Sequence, residues 1–138
     1  MRVKCTCNDL AEINDVEVRV RLGNSIHIEG PIRDLKVGKE YLVQAVEKRD
    51  DGLWFYLHSF KDSHHPYPYP AEMFEMQEQL VPQGWCLGIK KVEGSMVVKW
   101  MSFPEWAMDD QFFEKLVDGD AKAMSIYRTK RRMLCGVD

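Results

Sequence analysis

The sequence predicts an α+β fold, in which the first two thirds of the chain form an antiparallel sheet and the last third forms helices. Two observations predict the sheet: apolar and polar residues alternate along short segments, and turn-forming Gly, Asn and Asp residues separate these segments. A third observation predicts the helices, because apolar residues recur at helical spacing toward the C-terminus.

Length and composition favour one globular domain over residues 1–138, with 45% hydrophobic and 30% charged residues. The formal net charge of −3 is too small to indicate a nucleic-acid partner by bulk attraction. No apolar run suits a signal peptide or reaches the roughly 18 residues of a membrane span. A cytoplasmic location with reduced cysteines and no membrane partner is therefore expected.

Two hairpins are predicted in the N-terminal half. In the first, a strand over 15–22 alternates valine with charged residues, turns at Gly23-Asn24 and returns from Ser25 toward Gly30-Pro31. In the second, strands Glu40–Lys48 and Leu53–Phe60 flank an Asp50-Asp51-Gly52 turn. Apolar residues on both faces of 53–60 indicate a strand that is covered on each side.

A proline-rich loop and a third hairpin follow. Residues 61–70 contain three prolines, which forbid a helix and favour an extended chain. The third hairpin pairs Trp85–Lys91 with Met96–Trp100 across Glu93-Gly94.

Two helices are predicted at the C-terminal end. Ser102 and Glu105 fit a capping box that starts the first helix, which runs to about residue 117. Asp118-Gly119-Asp120 ends this helix and caps a second helix over 121–134, with Gly136 as its stop.

A family resemblance is carried by residues 35–75. The segment Gly38-Lys39-x-Tyr41-x-Val43 and the later segment Tyr69-Pro70-x-x-x-Phe74-Glu75 resemble the opening strand and the closing segment of small SH3-like barrels in bacterial and phage proteins. The resemblance implies an SH3-like barrel over residues 1–75, extended by the hairpin and two packed helices of residues 84–138. Such barrels bind peptides, proteins or nucleic acids, or only fill space, so the resemblance specifies fold more than function.

Catalytic and metal sites are not expected. Cys5, Cys7, His58, His64 and His65 are residue types that bind zinc, but the C-x-C spacing is a poor match and small core residues explain the cysteines better. A reactive thiol at Cys86 or Cys135 needs a histidine that nothing in the sequence brings near. Asp118 and Asp120 are better explained as helix caps than as an acid–base pair. No catalytic motif is present, so the sequence predicts a protein that is not an enzyme and needs no cofactor.

Two features favour a protein partner. Tyr67 and Tyr69 are held between prolines, whereas Trp54 and Tyr56 are expected in the core. The stretch 105–120 carries six acidic residues and one basic residue. This is typical of a solvated helix face, but it also suits a basic partner. The predicted partner-binding residues are Tyr67, Tyr69, Asp109, Asp110 and Glu114.

One basic cluster favours an alternative. Arg128, Lys130, Arg131 and Arg132 lie in the last turns of the predicted final helix, where the helix dipole favours them and where they also suit contacts to phosphates. The predicted function is a small, acidic, non-catalytic protein-binding module, such as a toxin-neutralising immunity protein or an inhibitor. The alternative is a nucleic-acid-associated accessory protein of phage or mobile-element type.

Overall fold

The computed structural model describes residues 1–50 and 52–135, which form an α+β fold around an open antiparallel sheet of seven strands. The strands are β1 (Arg2–Cys5), β2 (Glu40–Arg49), β3 (Gly52–Leu57), β4 (Tyr67–Pro70), β5 (Phe74–Glu78), β6 (Cys86–Val92) and β7 (Ser95–Ser102). The helices are α1 (Val16–Gly23), α2 (Pro104–Ala107), α3 (Phe112–Val117) and α4 (Ala121–Leu134), with 3-10 turns at Leu10–Glu12 and Ala71–Met73. No helix in the described ranges combines the length and apolar character needed to cross a bilayer.

The long strand β2 organises the sheet. The order is β4-β3-β2-β1-β5, and β7 also pairs with β2 and carries β6. The first residues of β2 pair with β1, whereas Val46 and Glu47 pair with Met101 and Trp100 of β7. One edge of β2 therefore supports two different strands, and the hairpin β6–β7 departs from the sheet beyond this point.

Two apolar clusters pack against the two faces of the same strands. In β3, Phe55 and Leu57 join the N-terminal cluster, and Tyr56 joins the C-terminal cluster with Trp106. The N-terminal cluster contains Val3, Cys5, Ile13, Leu22, Ile32, Leu35, Tyr41, Val43, Val46, Trp54, Phe55, Leu57, Tyr69 and Met73. The C-terminal cluster contains Ala45, Tyr56, Trp100, Phe103, Trp106, Phe112, Leu116, Ala123 and Tyr127.

Several predicted elements are confirmed. Strands β2 and β3 form the second predicted hairpin, and the turn residue Asp51 lies outside the described residues. Strands β6 and β7 form the third hairpin, and α4 has the predicted bounds with Asp120 as its N-cap. The predicted stop at Gly136 lies outside the described residues.

The first predicted hairpin is wrong, because residues 16–23 form helix α1. Asp15 Oδ1 accepts hydrogen bonds from the backbone N–H groups of Glu17 and Val18, at 3.0 and 3.2 Å, and so starts the helix. Val16 and Val20 are 58% and 65% exposed, and Leu22 alone is buried in this helix. Alternation predicted a strand here, but Val18 and Leu22, four residues apart on one face of the helix, pack against the N-terminal cluster, so burial follows helical spacing. Residues 25–30 form no strand.

The predicted capping box is also wrong. Ser102 ends β7, and its buried hydroxyl donates to the Gln44 carbonyl at 2.8 Å, which removes it from the helix start. Phe103 is the N-cap and makes no side-chain capping bond. The single helix predicted to reach residue 117 is divided into α2 and α3, because Asp109 Oδ1 accepts from the Gln111 N–H at 3.0 Å and forms a turn between them.

The proline-rich segment 61–70 was predicted to be extended throughout, but residues 61–65 turn and bend, and only the last four residues are extended, as a strand. β4 pairs with β3 at the edge of the sheet. Every second residue of an antiparallel edge strand directs its N–H away from the partner strand, so Pro68 and Pro70 can alternate with paired tyrosines. The following strand β5 was not predicted.

Candidate functional site

The two predicted tyrosine anchors lie in different environments. Tyr69 is only 4% exposed, and its hydroxyl is hydrogen-bonded to Ser59 Oγ. Tyr67 is half-buried, with its ring centroid 5.1 Å from Phe60 and 4.6 Å from His65. Tyr69 is therefore part of the core rather than of an exposed loop, and only the Tyr67 and Phe60 rings remain near the surface.

The predicted acidic face is largely paired with lysines. Asp109 lies 2.8 Å from Lys115, whose ammonium donates to it and lowers the pKa of this carboxyl. Asp110 lies 3.4 Å from Lys90. Glu114 is exposed and has no ion pair within the described ranges. One of the three predicted acids is thus left free to attract a basic partner.

The basic cluster of α4 is divided between two sides of the helix. Lys130 lies 3.7 Å from Glu105. Arg128 and Arg131 line a cavity beside His58, and Arg132 is exposed. Lys130 therefore lies apart from Arg128 and Arg131, so the four residues predicted to form one phosphate-contacting patch do not all share one face of α4.

The four cysteines are all free thiols in different environments. Cys5 is buried, burial raises the pKa of its thiol, and its Sγ donates to the Cys7 carbonyl at 3.5 Å. Cys86 is half-buried and Cys135 is exposed. Across residues 1–50 and 52–135, no three His, Cys, Asp or Glu side chains are grouped as metal ligands.

A surface that the sequence did not predict lies on the hairpin β6–β7. Every residue from 89 to 98 is exposed, and we call this segment the ribbon. Its apolar side chains are Ile89, Val92, Met96, Val97 and Val98, which are 56%, 43%, 69%, 39% and 38% exposed. Single exposed apolar residues are ordinary, but a continuous group on one protruding element is not.

Both faces of the ribbon carry apolar groups. The cross-strand pairs Ile89–Val98 and Lys91–Met96 share one face, and Lys90–Val97 and Val92–Ser95 share the other. Its tip is formed by Glu93 and Gly94, whose φ values of 51° and 83° fit a type I′ turn. The side of β6 away from β7 has no strand partner among the described residues, so its backbone groups are open to a further strand.

The base of the ribbon is fixed against the helices. Gly88 packs against the carbonyl of Ala107 in α2, where no side chain would fit. Lys90 and Lys99 approach Asp110 to 3.4 and 4.0 Å, just after α2. A groove of about 520 Å³ runs between the start of the ribbon and this loop, with Met108, 80% exposed, on its wall. The ribbon is therefore held in one position relative to the core.

The sequence contained a signal for this surface. Met96-Val97-Val98 places apolar residues on both faces of a strand, the same pattern that predicted a covered strand at 53–60, of which residues 54–57 are a buried strand. Strand β3 is covered by two clusters, whereas nothing among the described residues covers β7 at this point. The pattern identifies the apolar faces of the strand. It does not show whether this chain or another protein covers them.

Comparison with family models, with curated proteins and with solved structures found no match to this chain.

Proposed function

We propose that this chain is a non-catalytic protein-binding module that inhibits or neutralises its partner, as an immunity protein does with a toxin. The observation that carries the proposal is the ribbon, residues 89–98, with exposed apolar side chains on both faces. Contiguous apolar surface of this kind is typical of protein interfaces, because covering it removes apolar area from water.

The proposed occupant is an extended segment of another protein that pairs with the open edge of β6. Main-chain hydrogen bonds to a sheet edge give affinity, and alternate side chains of the added strand give specificity. The new strand would cover Ile89 and Val92 from the side on which β7 does not lie.

An exposed carboxylate in α3 suits a partner that carries basic residues. Glu114 is exposed and free of ion pairs among the described residues, while Asp109 and Asp110 are shared with lysines. Rim charges of this kind act mainly on the association rate. The apolar ribbon is therefore proposed to supply the affinity and Glu114 to assist the approach.

Two further expectations belong to this proposal. The first is a relationship of residues 1–75 to SH3-like barrels, supported by the position of Tyr41 and Val43 in β2 and of Tyr69 in β4. The second is a cytoplasmic location, which suits four cysteines that are all free in the structure.

Replacing Ile89 and Val92 together by glutamate tests the ribbon. Both exposed side chains lie on β6, beside the edge that the added strand would occupy, so two charges there would oppose the docking of an apolar strand. We expect the affinity for the partner to fall by about 30-fold, which corresponds to about 2 kcal/mol. The partner is first captured with the wild-type chain in nuclease-treated host lysate, then purified, and the Kd of each variant is measured by calorimetry.

The matched control is Val16→Glu with Val20→Glu, which places the same charges at two exposed valines of α1. It should leave the Kd unchanged, and circular dichroism should show that both variants are folded. Equal Kd values for the ribbon variant and the wild-type chain would remove the ribbon from the interface. If nuclease abolishes all capture, the nucleic-acid alternative replaces this proposal. That alternative is favoured by the guanidinium groups of Arg128 and Arg131, which form no ion pair among the described residues.

A further inference from the structure

A small cavity lies between α4 and the segment that follows β3. Its volume is about 180 Å³. Tyr127, Arg128 and Arg131 line it from the helix, and His58 and His64 line it from the segment. Residues three and four apart on a helix share one face, so α4 presents these three side chains together. The cavity is distant in sequence from the ribbon and plays no part in the function proposed above.

Two residues that line this cavity each hold a buried nitrogen that makes no well-aligned hydrogen bond in the described structure. They are Arg131, at Nε, and His58, at Nε2, and the Lys61 carbonyl lies close enough to the His58 ring to raise its pKa. Neither Arg128 nor Arg131 forms an ion pair within residues 1–50 and 52–135. Buried polar groups normally have partners, so the Arg131 guanidinium, with an unbonded Nε and no ion pair among the described residues, keeps hydrogen-bonding capacity for a ligand.

The hydrogen bond between His58 and Tyr127 sets which ring nitrogen is a donor. His58 Nδ1 lies 2.9 Å from the Tyr127 hydroxyl. Burial raises the pKa of Tyr127, so this hydroxyl stays protonated and donates to Nδ1. The proton of the neutral imidazole then resides on Nε2, which becomes a hydrogen-bond donor.

The electrostatics of the cavity favour an anion. Burial, followed by the nearby positive charge of Arg131, lowers the pKa of His58 to about 4. His65 contributes in the same direction, while the Lys61 carbonyl opposes it. Asp62 is the one carboxylate among the lining residues. Two guanidinium groups therefore face one carboxylate, and a bound anion would reduce the excess of positive charge.

We propose that this cavity binds the phosphate group of a small phosphorylated molecule. Guanidinium groups match phosphate geometry with paired N–H donors, and Arg128, Arg131 and His58 together offer donors for more than the two oxygens of a carboxylate. Asp62 is placed to accept a hydrogen bond from a hydroxyl of the ligand or of a protonated phosphate.

A small ligand fits these observations better than a nucleic-acid strand. The cavity holds only about 180 Å³, and Lys130, which would extend a basic track, lies against Glu105. Asp62 would repel the phosphates that flank any one phosphate of a strand. The net charge of −3 also opposes a long polyanion.

The test is calorimetric titration of the full chain with inorganic phosphate, with adenosine monophosphate and with a single-stranded oligonucleotide that has no terminal phosphate. Binding of inorganic phosphate or of adenosine monophosphate supports the proposal. If inorganic phosphate binds more tightly, the ligand is the free ion, and if the monophosphate binds more tightly, the ligand is a phosphate monoester. Arg131→Gln should weaken binding by about tenfold or more, whereas Arg132→Gln, an exposed neighbour outside the cavity, should not.

A second readout separates ligand loss from misfolding. In nitrogen-15 NMR spectra of the wild-type chain, ligand binding should raise the pKa of His58, because an anion favours the protonated ring. Arg128→Gln, which removes a guanidinium on the surface turn of α4, should reduce this shift without lowering the Tm. The proposal is overturned if neither phosphate ligand binds at about 10 mM, if Arg131→Gln and Arg132→Gln bind equally, or if only the oligonucleotide binds.

Discussion

Replacing Gly88 with alanine is expected to destabilise the protein by about 3 kcal/mol. A Cβ at this position would lie 2.2 Å from the Ala107 carbonyl oxygen and 3.0 Å from the Trp100 Cβ. The first of these atoms belongs to the backbone of α2, so it cannot move aside by rotating a side chain. Either β6 or α2 must shift, and contacts of the C-terminal cluster are lost.

Urea unfolding followed by circular dichroism measures this effect, and Gly23→Ala is the control. At Gly23, the last residue of α1, the nearest atom to a new Cβ is Leu10 Cδ2 at an ordinary 3.9 Å. The control should change stability by less than about 0.5 kcal/mol, or raise it slightly, because alanine favours a helix. If Gly88→Ala is as stable as the control, β6 does not pack on α2 at Gly88 as described.

Trp106→Ala is expected to cost about 4 kcal/mol, within the range of large aromatic deletions in cores. Trp106 is fully buried, and its ring centroid lies 5.3 Å from Tyr56, 5.5 Å from Trp100 and 5.6 Å from Phe112. It therefore joins β3, β7 and α3 through a single side chain. Its removal leaves a cavity that the surrounding rings cannot fill without moving.

Trp85→Ala is the matched control, because Trp85 is only half-buried and lies beside the clusters rather than inside one. Its loss should cost about 1–2 kcal/mol by the same urea measurement. Near-ultraviolet circular dichroism should lose most of its signal in Trp106→Ala and little in Trp85→Ala. Equal costs for the two variants would contradict the central position of Trp106.

The elements that could be predicted from the sequence are those in which the local turn residues and the side-chain pattern indicate the same structure. Asp50 and Gly52 flank the turn between β2 and β3, Glu93-Gly94 turns between β6 and β7, and Asp120 caps α4. In each case the strand or helix pattern beside the turn matched the structure that the turn required. Agreement between the two levels made these predictions correct.

Residues 15–22 show where such agreement misleads, because their alternation and the Gly23-Asn24 turn both indicate a hairpin. Their alternation is typical of a half-buried strand, but Asp15 is also a good helix cap. The outcome depends on whether another strand lies in register beside them, and no short segment of sequence contains that information. The capping box predicted at Ser102 was wrong for a related reason. The Ser102 hydroxyl donates to the carbonyl of Gln44, 58 residues away in sequence.

The candidate surface was harder to predict than the fold. Tyr69 and the acidic residues were chosen because their residue types suit binding, yet Tyr69 is buried and Asp109 and Asp110 are paired with lysines. Burial and pairing are products of tertiary structure. The sequence predicts the ribbon as part of a hairpin. Its exposure on both faces depends on where the pairing between β2 and β7 ends, which is a feature of the tertiary structure.

Hydrogen–deuterium exchange of the chain, alone and bound to its captured partner, tests the role of the ribbon most directly. In the free protein the amides on the outer edge of β6 should exchange fast, because they have no partner strand among the described residues. A partner strand added to β6 should slow the exchange of residues 86–92 and protect the facing part of β7. Protection confined to residues 60–69 or 105–120, with the ribbon exchanging as in the free protein, would contradict the proposed docking site.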